Sequence, residues 1–259
     1  MEKLTTRLSN TFASNFYEDG DLFLKKSKDK KISAQPLPHG VVLFKGCLDL
    51  EEQLSLVRAC LKMADEEPNR GLLPRCRYAS TSKKAVPILF YNWPAVPASM
   101  KGMKEPTRLL RFGRKMFKTA YEAGRRNGDN MQCPSKYNPA SLYAILYPHG
   151  GSFIPHVDGA KGWALSVSIG DSANFFYSET KTSERTYVRL DSGDALIFNG
   201  GQLYHGVENI IPDSAPDFWR SEETDITKYD MSRLVLQFRD PQRDQSGLKY
   251  YPVFQAIGE

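Results

Sequence analysis

The chain has 259 residues, with 35 Lys and Arg against 30 Asp and Glu, a net charge of +5, and 41% apolar and 25% charged residues. That is the composition of a globular protein with enough apolar material for one large core, and it excludes collagen, a coiled coil and a disulfide scaffold. The longest apolar stretches, such as Val41–Phe44 and Leu142–Tyr147, fall far short of the roughly 18 residues a membrane helix needs. The four cysteines (Cys47, Cys60, Cys76, Cys133) form no C-x-x-C pair, and no signal-type apolar segment opens the chain. The expected setting is therefore intracellular, nuclear or cytoplasmic, with no secretion signal and no membrane partner.

Residues 1–40 are mostly polar and carry Lys25, Lys26, Lys28, Lys30 and Lys31 without periodicity, which predicts a weakly ordered basic leader. The lysines are either a nuclear-import signal or a solvated charge run. A domain over residues 41–240 is expected next, followed by a tail over 241–259. Within it Val41–Phe44 reads as a strand, and Asp49 three residues before Glu52 forms a capping box. The helix it opens has Leu50, Leu54, Val57 and Leu61 on one side, which should pack on a sheet. Residues 66–100, rich in Pro, Arg and aromatic rings, predict an irregular or short-stranded cover on the substrate side.

Residues 108–126 predict a second helix, with Leu109, Phe112, Met116, Ala120 and Leu110, Phe117, Tyr121 on its apolar face. Seven basic residues (Arg108, Arg111, Arg114, Lys115, Lys118, Arg125, Arg126) stand there against Glu122, so the whole excess of positive charge sits on this helix. Two roles are open to it: holding a polyanion such as DNA or RNA, or packing on the sheet with its charges solvated. After Pro139 short alternating runs follow one another without helices between them: Leu142–Tyr147, Trp163–Ile169, Asn174–Tyr177, Thr186–Leu190, Ala195–Phe198 and Arg233–Phe238. An antiparallel sandwich or jelly roll is expected, so the fold class is α+β, with the helices packed on the sheet.

Among four histidines, His156 belongs to His156-Val157-Asp158, and residues i and i+2 of an extended chain face the same way. An imidazole and a carboxylate on one face are two ligands of a 2-His-1-carboxylate iron site, or else a hydrogen-bonded surface pair. His205, after the strand Ala195–Phe198 and the turn Asn199-Gly200-Gly201, can complete such a triad, or sit in a core beside Tyr204. In the last strand, period two puts Arg233, Val235, Gln237 and Arg239 on one face and Leu234, Leu236 and Phe238 on the other. If the arginine face is the lumen it requires acids, which a dicarboxylate cosubstrate supplies through charge-assisted hydrogen bonds. If it faces outward, the arginines are merely solvated.

These motifs resemble, in order and spacing, those of the AlkB-like Fe(II)/2-oxoglutarate-dependent dioxygenases: Tyr147 nine residues before His156-Val157-Asp158, Gly193-Asp194 leading into Leu203–Val207, and the pair Arg233 and Arg239. The resemblance runs from about Val41 to Arg239. It implies a double-stranded β-helix (jelly roll) and Fe(II), 2-oxoglutarate and O2 as cofactors. Iron would be held by His156, Asp158 and His205, and 2-oxoglutarate by Arg233 with a hydroxyl contact from Tyr147, Arg239 lining the inner end of the site. Phe90–Pro97 looks like the Trp-Pro stretch that follows the family's nucleotide-recognition lid. The implied activity is oxidative demethylation of an N-alkylated base in DNA or RNA, with Tyr78, Tyr91, Trp93 and Trp163 as candidates to stack on it, or simply to fill a core. Ile145 stands where the family usually has an Asn two residues before the Tyr, and Gly159, Ala160 and Lys161 follow the H-x-D motif where an acid is usual, so the identity of the base does not carry over. Six acids between Asp213 and Asp230 would repel phosphate if they lay beside the site. A protein or small-molecule substrate for the same chemistry, or a silent binding module, are the alternative readings.

Overall fold

A computed structural model describes residues 33–64, 76, 81–92, 104–126, 133–134, 141–158, 162–221 and 226–239. The strands are β1 (Ala34–Pro36), β2 (Val42–Phe44), β3 (Val86–Asn92), β4 (Ser141–Pro148), β5 (Phe153–His156), β6 (Trp163–Gly170), β7 (Ala173–Ser178), β8 (Thr186–Leu190), β9 (Ala195–Asn199), β10 (Tyr204–Ile210) and β11 (Met231–Arg239). The helices are α1 (Leu50–Ala64) and α2 (Lys104–Arg126). One sheet has the order β1-β2-β9-β6-β11-β4-β3 and the other the order β5-β10-β7-β8. Every pairing of named strands is antiparallel, and the two sheets form the expected jelly roll.

Strand alternation builds two cores. On β4, β6, β9 and β11 one set of residues (Ala144, Leu146; Leu165, Val167, Ile169; Ala195, Ile197; Leu234, Leu236, Phe238) joins a core with α1 and α2. The intervening set (Ile145, Tyr147; Ala164; Leu196, Phe198; Val235) meets Phe175, Tyr177 and Val207 of the smaller sheet. Period two thus divides each central strand between a helix layer and the space between the sheets.

The capping box forms as expected: Glu52 N donates to Asp49 Oδ1 at 2.8 Å and Asp49 N donates to Glu52 Oε2 at 2.7 Å. The buried face of α1 is rotated from the expected one. Leu56, Val57, Cys60 and Leu61 are buried, but Leu50 is 60% exposed and Leu54 only half-buried. The cause is Gln53, whose amide donates to Leu48 O and accepts from Ser192 Oγ and so turns inward. α2 starts four residues earlier than expected and buries Met116, Phe117 and Ala120. Gly113 permits the close approach, since a Cβ there would meet the Phe238 ring at 3.0 Å.

Residues 34–40, expected to be part of a weakly ordered leader, are ordered. Ala34–Pro36 pairs with β2, and Tyr177 donates its hydroxyl to Pro38 O at 3.3 Å, so residues 34–40 belong to the domain. The lysines of the leader and the tail 241–259 lie outside the described residues. The cover expected over residues 66–100 is in part sheet, because Val86–Asn92 pairs with β4 as the edge strand β3, while Cys76 is buried in the helix-side core. In the acidic segment after β10, Phe218, Trp219, Ile226 and Tyr229 pack on that same core, which puts these residues on the helix side of the large sheet. No helix among the described residues is long and apolar enough to cross a membrane.

Candidate metal centre

β5 and β10 are adjacent, and their register sets His156 opposite His205. Val207 lies opposite Phe153, so β5 carries one more residue than β10 between the two pairs. That extra residue is a bulge, a device that re-aims a side chain at the end of a strand. Ligand atoms of His156, Asp158 and His205 all lie within 4.8 Å of one another. The two rings are 4.5 Å apart between centroids, and Asp158 Oδ1 is 3.3 Å from His156 Nε2 and 3.9 Å from His205 Nε2.

Both imidazoles are oriented in the same way. His156 Nδ1 is 2.9 Å from Ile154 O, and His205 Nδ1 is 2.8 Å from Leu203 O, each a carbonyl two residues upstream. A carbonyl can only accept, so Nδ1 carries the proton and Nε2 presents its lone pair to the common centre. Burial holds His205 well below the ordinary imidazole range, to about 4, partly offset by the charge of Asp158, so the ring is neutral and ready to ligate. For Asp158 burial acts upward, but the His156 contact and the Arg239 and His205 charges outweigh it and bring the carboxyl to about 2. The Asp158 amide donates to Gly200 O at 2.8 Å, and a Cβ on Gly200 would lie 2.0 Å from Asp158 Oδ2. Only glycine therefore fits against this carboxylate.

Deeper between the sheets lies Arg233, 1% exposed, on the lumen face expected of it. Its Nη1 donates to Asp171 O (2.6 Å) and Leu190 O (3.2 Å), and its Nη2 to Ser168 Oγ (2.5 Å). Its Nε has no partner, and among the described residues the guanidinium makes no ion pair. Burial lowers it to about 10, against the opposing pull of Tyr147 and of Asp194, Asp171 and Asp191. Tyr147 is its cross-strand neighbour, and burial pushes the phenol far up, so the hydroxyl stays protonated. A buried cation with an orphaned N–H and no acid partner is suited to an anionic cosubstrate.

Arg239, expected to line the inner end of the site, donates from Nη2 to Asp158 Oδ1 at 2.6 Å and so sits against the triad. Trp163 shares a strand face with Leu165 and Val167 and packs against the helix-side core, a place for filling the core and not for stacking on a substrate. Tyr91 lies on β3, paired with Leu142, while Tyr78 and Trp93 lie outside the described residues. Gly200, Ser168 and Asp171 were not foreseen as site residues. Ser168 left a signal in Ala164, Ser166, Ser168 and Gly170, a run of small residues on the lumen face of β6 that leaves room for the arginines of β11.

The model of the 2OG-Fe(II) oxygenase superfamily matches residues 40–239. Two curated Arabidopsis thaliana proteins are similar: DNA N(6)-methyladenine demethylase ALKBH1D, 30% identical over 221 residues (77% of this chain, 49% of the relative), and DNA N(6)-methyladenine demethylase ALKBH1C, 26% identical over 251 residues (83% and 51%). The chain spans about half the length of these relatives. The solved structure of OsALKBH1 has the same fold, with a TM-score of 0.57 at 22% identity, covering 80% of this chain and 100% of that one. With the family match over most of its length and a donor set suited to the metal and cosubstrate, the chain belongs to the 2OG-Fe(II) oxygenase superfamily as an AlkB-like member, whose cofactors are Fe(II), 2-oxoglutarate and O2.

Proposed function

We propose that this dioxygenase removes N-methyl groups from bases in nucleic acid, with N6-methyladenine in DNA as the first substrate to test. The observation that carries the reading is the pairing, between the two sheets, of three convergent ligand atoms on the smaller one with a buried guanidinium on the larger one whose Nε has no partner. The names of the two relatives support the choice of base.

In this reading His156 and His205 ligate through Nε2, each ring fixed by its Nδ1–H donated to a carbonyl. Asp158 ligates as the carboxylate, and Arg239 keeps it ionised and fixes Oδ1. A 2-His-1-carboxylate set of this kind would hold Fe(II) while admitting cosubstrate and O2. Arg233 binds the distal carboxylate of 2-oxoglutarate, with Tyr147 donating its hydroxyl. Bound Fe(II) supplies the coupling of O2 reduction to decarboxylation of 2-oxoglutarate, giving succinate and CO2. The second oxygen atom goes to the methyl carbon of the substrate; the N-hydroxymethyl product then breaks its C–N bond, releasing formaldehyde and leaving N–H on the base. His156, with 31% of its side chain exposed against 5% for His205, marks the open side from which the base enters.

The test is succinate and formaldehyde release with Fe(II), 2-oxoglutarate, ascorbate and air, using single-stranded and duplex oligonucleotides with and without N6-methyladenine. Methyl-dependent, stoichiometric formaldehyde is expected, and it should vanish in His156→Ala and Asp158→Ala. Succinate release that no methylated oligonucleotide stimulates would overturn the substrate and point to a protein or small molecule. Failure to bind Fe(II) would revive the binding-module alternative.

A further inference from the structure

β5 is an edge strand: it pairs with β10 on one side only, and an isolated bridge joins Ser152, just before it, to Lys84. The bulge opposite His205 and Val207 falls on Ile154 and Pro155. Ile154 is 72% exposed, and Val157, on the other side of His156, is 45% exposed. Only two other large apolar residues are similarly exposed among the described residues, Leu50 and Tyr187. Ile154 and Val157 thus put exposed apolar side chains on both sides of a candidate metal ligand.

Cations stand beside them. Ser152 N donates to Lys83 O at 3.2 Å, and Lys83 and Lys84 are both exposed. The exposed cations described on α2, Arg114, Lys118 and Arg125, lie across the large sheet, since α2 packs Met116, Phe117 and Ala120 on the helix-side core. A strand of nucleic acid held there would not reach the triad. Pro155 has no N–H to offer, so a peptide adding itself as a further strand would lack a donor at this point of the edge. The surface therefore offers side chains, apolar ones for bases and ammonium groups for phosphates, which is the pattern of a single-strand track.

Resting on the function proposed above, we infer that the outer edge of β5, with Ile154, Val157, Lys83 and Lys84, is the track on which single-stranded nucleic acid lies while its methylated base enters beside His156. The two halves of the track respond differently to salt. The test is fluorescence anisotropy of a single-stranded N6-methyladenine oligonucleotide on the anaerobic Fe(II)- and 2-oxoglutarate-loaded protein, over a range of salt. Lys83→Ala with Lys84→Ala should weaken binding about tenfold at low salt and lower the slope of log affinity on log salt by about 1.4, or 0.7 for each phosphate contact. Ile154→Ser with Val157→Ser should weaken it about fivefold with the slope unchanged, because apolar contacts release no counter-ions. Lys118→Ala with Arg125→Ala should change neither. Succinate release without oligonucleotide serves as the folding control for every variant. Wild-type affinity and slope in both track variants, or a loss confined to the α2 variant, would overturn this inference while leaving demethylation standing. A wild-type protein that releases succinate but neither binds nor demethylates any oligonucleotide would overturn the function and the track together.

Discussion

Gly200→Ala is the sharpest perturbation of the metal centre that leaves every ligand in place. The new Cβ would lie 2.0 Å from Asp158 Oδ2 and 3.0 Å from its Cγ, whereas real Cβ contacts are essentially never under 3.0 Å. The carboxylate oxygen or the Gly200 backbone must therefore move by about 1 Å. Asp158 is short, and its Oδ1 is already fixed by Arg239, so its carboxylate has little freedom to turn away. If the backbone moves instead, the 2.8 Å bond from Asp158 N to Gly200 O is strained. A functional site tolerates about 0.5 Å of displacement, and damage to the groups that orient ligands typically lowers metal affinity by 10–100-fold, about 1.4–2.8 kcal/mol. Gly200 does not have the positive φ that would strain an alanine, so the fold should persist. Anaerobic calorimetric titration with Fe(II), and with Mn(II) as a redox-stable probe, measures the affinity, and circular dichroism checks the fold. Wild-type affinity together with wild-type succinate release would refute the claim that the backbone at Gly200 sets the position of Asp158.

Other outcomes follow from the same geometry. Arg233→Lys keeps a charge but loses the planar fork, so the KM for 2-oxoglutarate in succinate release should rise about 10–100-fold, the value of one or two charge-assisted hydrogen bonds; an unchanged KM would remove Arg233 from the cosubstrate site. Leu56→Ala should cost about 2–5 kcal/mol in urea unfolding, because Leu56 is 1% exposed, whereas Leu50→Ala should stay within about 0.5 kcal/mol; equal losses would contradict the observed face of α1. At Asp191 burial acts upward, but hydrogen bonds from Lys45, Arg189 and Ser172 outweigh it and hold the carboxyl well below the usual range. Its stabilisation is thus fully present above the unfolded value of about 3.9 and is lost as pH falls through the lower folded value. Asp191→Asn should lower the melting temperature at pH 7 and leave a smaller further loss between pH 4 and pH 2 than wild type; parallel curves would refute the pairing.

The parts of the fold legible in the sequence are those fixed by period and local chemistry. The capping box at Asp49 and Glu52 is a four-residue statement, and the division of β11 into an arginine face and a Leu-Leu-Phe face follows from pleating alone. What pleating leaves open is which face is the lumen, and for the arginines only their burial beneath the second sheet decides it. The face of α1 differs from the one its spacing predicts because hydrophobic spacing ranks Leu50 above a polar Gln53, while Ser192 and Leu48, distant or non-helical, supply the partners that turn Gln53 inward. For Trp163 the sequence leaves stacking and core filling both open, because a ring at the head of a strand suits either face until the register with β9 is known. Gly200 could not be read as a site residue at all, since its role exists only through a contact with Asp158, which is 42 residues away.

The state of Arg233 connects the two ends of the site. A guanidinium buried without an acid carries a desolvation cost that three oxygen acceptors, two of them main-chain carbonyls, offset only in part. The acids nearby bond mainly to the scaffold, although Asp171 Oδ2 is buried without a hydrogen-bond partner. Asp171 accepts from Ser214 N and Ala215 N through Oδ1, while Asp194 accepts from Lys45, Gly46 N and Asp191 N. Those bonds hold the turns that frame β6, β7 and β9, so these acids act on the arginine from a distance and none forms an ion pair with it among the described residues. The fork is thus preorganised by carbonyls and left with charge to satisfy, and a carboxylate arriving from solvent gains an ion pair without having to break one. A resident acid at Ser168 would remove that advantage: Ser168→Asp should give a folded protein that still binds Fe(II) at the triad but needs far more 2-oxoglutarate for half-maximal succinate release.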